Sequence, residues 1–352
     1  MPKWNKLLGR VVLERWYDYS PDQWSPDTIR KAVIFTPKAI GDGMGIYPVI
    51  RALQSRRLDW LGIVASEKSA PIFEALKEEG VELLTVKHDR DYSAVKQLAR
   101  NLRSQHGHID LCVDATATAS SPAIYFVGTL KARMNLQVSG SRMRAYAPLG
   151  EHVRANWENI PTVQSWACLM KEADIGEVPG RFELPIPVHV DDSVKIWADS
   201  VGNYLLFNLD GSADERRISL DKARELLPAA HEITGVPIVL PYDPQGAEKA
   251  KQLANEFPFV SIFPEGSSVL ISAALVKHAA FVFSPDTAIV HIASAYNRPT
   301  IGVYLTDNKI WHPQAQVKEV IQAVGQVEQP LTQKLISEKL LSLKQQLNFL
   351  SS

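Results

Sequence analysis

The chain has 352 residues, 45% of them apolar and 22% charged, with a formal net charge of −1. That length exceeds one ordinary core and implies two domains, and the composition is that of a globular protein. The charge balance excludes a general pull toward nucleic acid, so an acidic partner would have to be met by a local basic patch.

The N-terminal stretch MPKWNKLLGRVVLERW places apolar residues at 4, 7, 8, 11, 12 and 16, close to one helix face. Lys3, Lys6, Arg10 and Arg15 against Glu14 give it a net charge of +3. Tryptophans at both ends and a basic face suit a membrane surface; the plainer reading is a helix packed on its own domain. Strand patterns follow at 32–36, 61–66, 81–86, 110–116 and 133–138, with helical patterns at 46–55, 69–79, 92–105 and 121–130 between them. A second series has strands at 204–210, 236–242, 259–264, 281–286 and 300–305, and helices near 219–230, 245–257, 267–279 and 287–297. Apolar strands separated by helices predict parallel sheets covered on both faces, hence two Rossmann-like doubly wound domains in an α/β chain. The proline-rich stretch at 175–193 marks the boundary. The domains are expected at 1–178 and 179–330. A C-terminal helix at 331–352 follows, with Leu335, Leu340, Leu341 and Leu347 on its apolar side, expected to pack back toward the N-terminal domain.

Cys112 and Cys168 sit in apolar stretches without CxxC or Cys/His spacing, so they read as small buried hydrophobes in a reducing compartment. No apolar run reaches the roughly 18–20 residues of a membrane span, and no signal-peptide pattern is visible. The expected location is the cytoplasm.

The glycine-rich stretch TPKAIGDGMGIYPVIRAL, residues 36–53, turns from the first strand into a helix. In doubly wound sheets ligands bind at that edge. A dinucleotide fingerprint would be GxGxxG; here the pattern is GxGxG with Asp42 inside it, and a carboxylate there would repel a pyrophosphate. Glu67 could imitate a ribose-binding acid, which keeps a nicotinamide reading open. Asp42 could instead accept a proton from an attacking hydroxyl, or merely cap the helix starting near Gly43.

The stretch SPDTAIVHIASAYNRPTIGVYL, residues 284–305, places Asp286 and Thr287 at a strand's carboxyl end, where a helix begins. The helix N-terminus with Thr287 is a natural diphosphate site. His291, one turn further on the same side, could donate to the same phosphates, and Asp286 could hold sugar hydroxyls. Read singly, these residues are two caps and a core histidine.

The GD pair after the first strand and the late DTAxxHIASAxxRPTIxxY resemble the heptosyltransferase-type glycosyltransferases of family 9, in order and spacing over roughly residues 30 to 310. That resemblance implies a GT-B fold, two Rossmann-like domains facing across a cleft. It implies a nucleotide-sugar donor, typically ADP-heptose, held by the C-terminal half, and a lipopolysaccharide-core acceptor presented by the N-terminal half. Asp42 falls on the family's base. Asp286, Thr287, Ala288 and His291 fall on its donor-sugar and diphosphate site, with Ala288 replacing the usual glycine. The basic diphosphate residue falls on Arg216 or Arg217, the ribose acid on Asp243 or Glu248, and the adenine site on 263–267 with Pro264 and Gly266. Gly43 stands where the family usually has an apolar residue, and DATATASSP at 114–122 matches the expected sugar and acceptor segment weakly.

The expected reaction is inverting transfer, with Asp42 as base and no metal or cofactor required. The DRD triplet at 89–91 reads as a helix start capped by Asp91 rather than a metal motif. On the acceptor side Lys131, Arg133, Arg142, Arg144 and Arg154 against Glu151 form a basic stretch suited to a phosphorylated glycolipid, and with the N-terminal helix they suggest peripheral contact with the inner face of the inner membrane. The alternatives are a hexose or N-acetylhexosamine transferase of the same fold, and a nucleotide-sugar binder without turnover.

Overall fold

The structure, a computed structural model, describes residues 3–21, 25–88, 90–116, 120–138, 143–147, 153 and 160–351. Two compact units emerge, Met1–Arg181 and Phe182–Ser352, so the division falls inside the proline-rich stretch.

The first unit holds one parallel sheet. Its strands are β1 (Lys31–Thr36), β2 (Trp60–Ser66), β3 (Glu82–Val86), β4 (Leu111–Asp114) and β5 (Met134–Leu136), in the order β3-β2-β1-β4-β5. The central strand β1 is buried along all but its first residue, as a strand covered on both faces must be. Among the described residues its helices are α1 (Lys3–Tyr17), α2 (Ile40–Met44), α3 (Tyr47–Gln54), α4 (Tyr92–His106), α5 (Ser121–Leu130) and α6 (Thr162–Glu172). Phe35 of β1 stacks on Phe126 of α5 with ring centroids 4.4 Å apart, tying the sheet to its cover. The expected helix at 69–79 forms a 3-10 helix, Ala70–Lys77.

The second unit holds a six-stranded parallel sheet: β6 (Leu205–Phe207), β7 (Ile238–Val239), β8 (Val260–Ser261), β9 (Phe281–Pro285), β10 (Thr300–Tyr304) and β11 (Lys318–Gln322), ordered β11-β10-β9-β6-β7-β8. Counted from β6 this is the Rossmann order, with the reversal between β6 and β9. Its helices are α7 (Val188–Val201), α8 (Leu220–Thr234), α9 (Ala247–Glu256), α10 (Val269–His278), α11 (Ala288–Ala295) and α12 (Gln333–Ser351). The sequence pattern does not reveal α6, α7 or β11. Proline-rich flanks hide the start of α7, and β11 is an edge strand in which only Ile321 is buried.

In α1 the described side chains use a face other than the one expected; in α12 the expected Leu335, Leu340 and Leu347 meet the core and Leu341 does not. In α12, Ile336, Leu340 and Leu343 are fully buried in the second unit's own core, while Leu341 is 44% exposed. Each such burial contributes about 1.5–3 kcal/mol, which anchors the helix on this unit's core. In α1, Leu13 and Tyr17 pack on the first unit's core and Glu14 is buried, whereas Val11, Val12 and Trp16 stay exposed. The close approach needs a glycine on α5: a Cβ at Gly128 would meet Tyr17 Cβ at 2.5 Å.

Candidate active site

In the first unit, β1 ends at Thr36 and the chain turns through Lys38 into the five-residue α2. The turn is fixed from beside it: Ser66 Oγ, at the end of β2, donates to the Lys38 carbonyl over 3.0 Å. Ala39 is the residue before α2, so Asp42 is third in the helix, and its carboxylate takes the Ala39 N–H. This is half of a capping box, not the cap of a later helix. Burial pushes the Asp42 carboxyl up from its ordinary value, opposed by the Lys38 charge and the Ala39 amide. The glycines make room. A Cβ at Gly43 would meet Ile72 Cδ1 at 2.8 Å, and one at Gly45 would meet Thr162 Cγ2 at 3.3 Å. Gly43 thus replaces an apolar side chain because the 3-10 segment already fills that space.

A second carboxylate lies on the adjacent strand, where Asp114 pairs in register with Phe35. It is fully buried and accepts from Thr116 N (3.0 Å) and Oγ1 (2.6 Å), Gln137 Nε2 (2.5 Å) and Tyr146 Oη (2.7 Å). Burial raises its pKa to about 6 despite those donors and the Lys38 charge. Gln137 Oε1 and Thr36 Oγ1 are buried at the same edge without a hydrogen-bond partner. Lys38 acts electrostatically on both Asp42 and Asp114, which makes one charged group of the three. Sequence analysis misses Lys38 and Asp114 as a pair because the strands that align them lie about 80 positions apart.

The basic residues expected at the acceptor side do not join this group. Lys131, in the left-handed conformation that ends α5, and Arg133, 3.6 Å from Asp110, both precede β5 and sit at the opposite edge of the sheet. Arg144 pairs with Asp18 at 3.0 Å, two residues before the bridge of Tyr146 to Asn135, and is therefore level with Arg133. β5 separates them from that edge, because a strand carries its two ends to opposite edges of the sheet. Arg142, Arg154 and Glu151 lie outside the described residues.

In the second unit the ends of β6, β7 and β9 converge. Asn208, just past β6, donates to Ser284 Oγ (3.0 Å) and Thr287 Oγ1 (3.3 Å). Thr287 caps α11 by accepting from Ile289 N, and Ala288 is the first residue of that helix. Arg216 Nη1 lies 3.1 Å from the Asp286 carboxylate and 3.2 Å from its main-chain carbonyl. Burial raises the Asp286 pKa, opposed by Arg216 and His312.

The two arginines part here. Arg217 is clamped between Asp210 (3.2 Å) and Asp243 (2.6 Å) and is less exposed than Arg216. Asp210 is held further by Lys249 at 3.2 Å and accepts from the Asp243 amide at 3.0 Å. Asp243 also accepts from Gly246 N at 2.7 Å; burial would raise its pKa, but Arg217 and that amide outweigh it and the net shift is downward. Both of its oxygens therefore have partners. The Glu248 side chain, the other ribose candidate, is 92% exposed and pairs with Lys251 at 3.4 Å. Pro264 and Gly266 lie in the turn after β8, where Gly266 takes φ +102, a conformation that favours glycine.

His291 is buried, stacked on Phe182 at 4.7 Å and beside Trp311 at 5.3 Å, with Nδ1 unpartnered. Burial lowers its pKa to about 4, so it is neutral at physiological pH and brings no charge to a phosphate. Asp91 caps α4 by accepting from Ala94 N at 3.0 Å; Asp89 lies outside the described residues. Among the described residues no group of three or more His, Cys, Asp or Glu side chains is arranged to hold a metal, and no helix is long and apolar enough to cross a membrane.

The family model described as glycosyltransferase family 9 (heptosyltransferase) matches residues 95–341. The YeeL protein of Escherichia coli (strain K12) is 34% identical over 227 residues, 63% of this chain and 97% of that protein. Lipopolysaccharide heptosyltransferase 1 of the same strain is 34% identical over 104 residues, 29% of this chain and 32% of its own length. The chain thus matches about a third of that curated enzyme. The E. coli heptosyltransferase WaaC solved with ADP-2-deoxy-2-fluoro heptose superposes with a TM-score of 0.63 at 20% identity, covering 87% of this chain and 98% of that one. That likeness shows the GT-B fold expected from the sequence. The chain belongs to glycosyltransferase family 9, the heptosyltransferase family, and is a glycosyltransferase.

Proposed function

We propose that this glycosyltransferase moves a heptose from ADP-heptose to a lipopolysaccharide-core acceptor, with inversion and without a metal. The observation that carries the reading is the grouping of Arg216, Asp286 and Thr287 at the N-terminus of α11. Arg216 and the first amides of α11 would receive the diphosphate, and Asp286 the sugar hydroxyls. As the glycosidic bond to the nucleotide breaks, charge builds on the leaving phosphate, and donors fixed in advance offset it. Asp42 would take the acceptor hydroxyl's proton as the new bond forms; a carboxyl raised by burial is a stronger base for that task than a solvated one. His291 would contribute shape and at most one neutral N–H donor.

The structural relative's bound ADP-2-deoxy-2-fluoro heptose favours ADP-heptose as donor. Isothermal titration with ADP-heptose against UDP-hexoses and UDP-N-acetylhexosamines tests it. Tighter binding of a UDP-sugar would replace the donor assignment with a hexose or N-acetylhexosamine. Donor binding with no turnover on any core acceptor would leave a nucleotide-sugar binder.

A further inference from the structure

We infer that Ser66 is a positioning residue for Asp42, acting on it through the peptide group that joins Lys38 to Ala39. Both ends of that group are engaged. Its carbonyl accepts from Ser66 Oγ over 3.0 Å, and its N–H donates to the Asp42 carboxylate. A peptide group is planar, with its C=O and N–H pointing in opposite directions, so holding the oxygen aims the N–H. A carbonyl that accepts a hydrogen bond also makes the N–H of its own peptide a stronger donor. The serine therefore directs the grip on Asp42 and strengthens it.

The turn needs such a hold. The ladder between β1 and β2 ends where Thr36 meets Ala65. Pro37, next along, has no N–H to continue it, and the Lys38 amide turns back to the Thr36 carbonyl at 2.8 Å. The Ser66 hydroxyl supplies a donor across that gap, and it is itself locked. It gives its single proton to the Lys38 carbonyl, so its oxygen accepts from the Ser69 amide at 3.2 Å and the Ser69 hydroxyl at 2.8 Å. Ser69 is fully buried and Ser66 is 6% exposed, which shields these bonds from water. Ser69 leads into the 3-10 segment, whose Ile72 and Phe73 fill the space beside Gly43. The Ile72 carbonyl then accepts from Tyr47 Oη, in the first residue of α3, at 2.7 Å. The chain is thus held before, beside and after Asp42 by one neighbouring stretch, residues 66–73. The charge of Lys38, which acts on Asp42 and also on Asp114, starts from the same pinned turn.

This deepens the proposed function and rests on Asp42 as the base. The test is a double-mutant cycle on the full chain, read by steady-state kinetics across pH. Ser66→Ala should lower kcat about 10–10²-fold with KM unchanged, because the base is misplaced while the substrate sites stay intact. Its kcat limb should move to higher pH, because a carboxylate whose hydrogen-bond donor weakens holds its proton more tightly. Ser69→Ala, which keeps the Ser66 donor but frees its rotation, should show both effects more weakly. Tm should fall by no more than about 2–4 °C, as for the loss of one neutral hydrogen bond. Added to Asp42→Asn, Ser66→Ala should cost nothing further. An equal loss in both backgrounds, or a kcat limb that stays in place, would overturn the inference and leave Asp42 as the base. If Asp42→Asn alone kept full turnover, the base assignment would be wrong and the role of Ser66 would go with it.

Discussion

Arg216 holds Asp286 twice, by its carboxylate at 3.1 Å and by its own main-chain carbonyl at 3.2 Å. This grip fixes the guanidinium beside the N-terminus of α11 while leaving part of it exposed to a ligand. Arg217, one residue on, has both its partners within the protein.

Substituting the two arginines should therefore separate binding from folding. Arg216→Met should lower kcat/KM by about 10²–10³-fold with little change in Tm. Arg217→Met should instead cost about 1–3 kcal/mol of stability, since it strips a partner from Asp210, which is 7% exposed. Steady-state kinetics beside thermal melts of both variants decide it; equal kinetic losses at unchanged Tm would contradict this division.

Asp42→Asn should cut turnover by about 10²–10⁴-fold while donor affinity stays near that of the wild type. Burial raises the Asp42 pKa, so the wild-type rate should climb with pH through an apparent value above that of an ordinary aspartate. A second limb from His291 is not expected between pH 5 and 8, because that ring loses its proton at about 4. The pH–rate profile of kcat reads both.

Asp114 should make the fold sensitive to pH in the opposite sense from a salt-bridged carboxylate. Its folded pKa of about 6 lies above the ordinary 3.8, so the folded state holds the proton more tightly. The stability this group contributes is present below 3.8 and lost as pH rises through about 6, a change on the order of 3 kcal/mol. Asp114→Asn should flatten that part of the curve of unfolding free energy against pH. An unchanged slope would remove Asp114 as its source.

Gly128→Ala should loosen α1. The added methyl would meet Tyr17 Cβ at 2.5 Å and the Tyr17 carbonyl at 2.7 Å, and the backbone of α1 has to move to accept it. Limited trypsin digestion should then cut at Arg10 or Arg15 several-fold faster than in the wild type. Digestion at the wild-type rate would mean the helix packs without that contact.

Much of the architecture is legible in the residues because a strand covered on both faces must be apolar along its length. AVIFT and TIGVYL announce β1 and β10 without help, and α5 falls on its predicted bounds of 121–130. Asp42 and Asp286-Thr287 are visible for a local reason too: each lies just after such a strand. The face of α1 is not legible, since Val12 satisfies a helical period as well as Leu13 does, yet points outward; in α12 the same ambiguity misplaces Leu341 alone among the four expected leucines.

By itself, the order of the residues determined two parallel sheets, their carboxyl-edge loops and the candidate acids on them, because burial and turn formation depend on neighbours a few positions away. Tertiary structure alone decided that Arg217 is engaged by Asp210 and Asp243, that Asp114 is buried beside β1, and that Lys131 and Arg133 sit at the opposite edge from Asp42. Those outcomes depend on which strands lie side by side. Strand order joins residues tens of positions apart, and local periodicity carries no record of it.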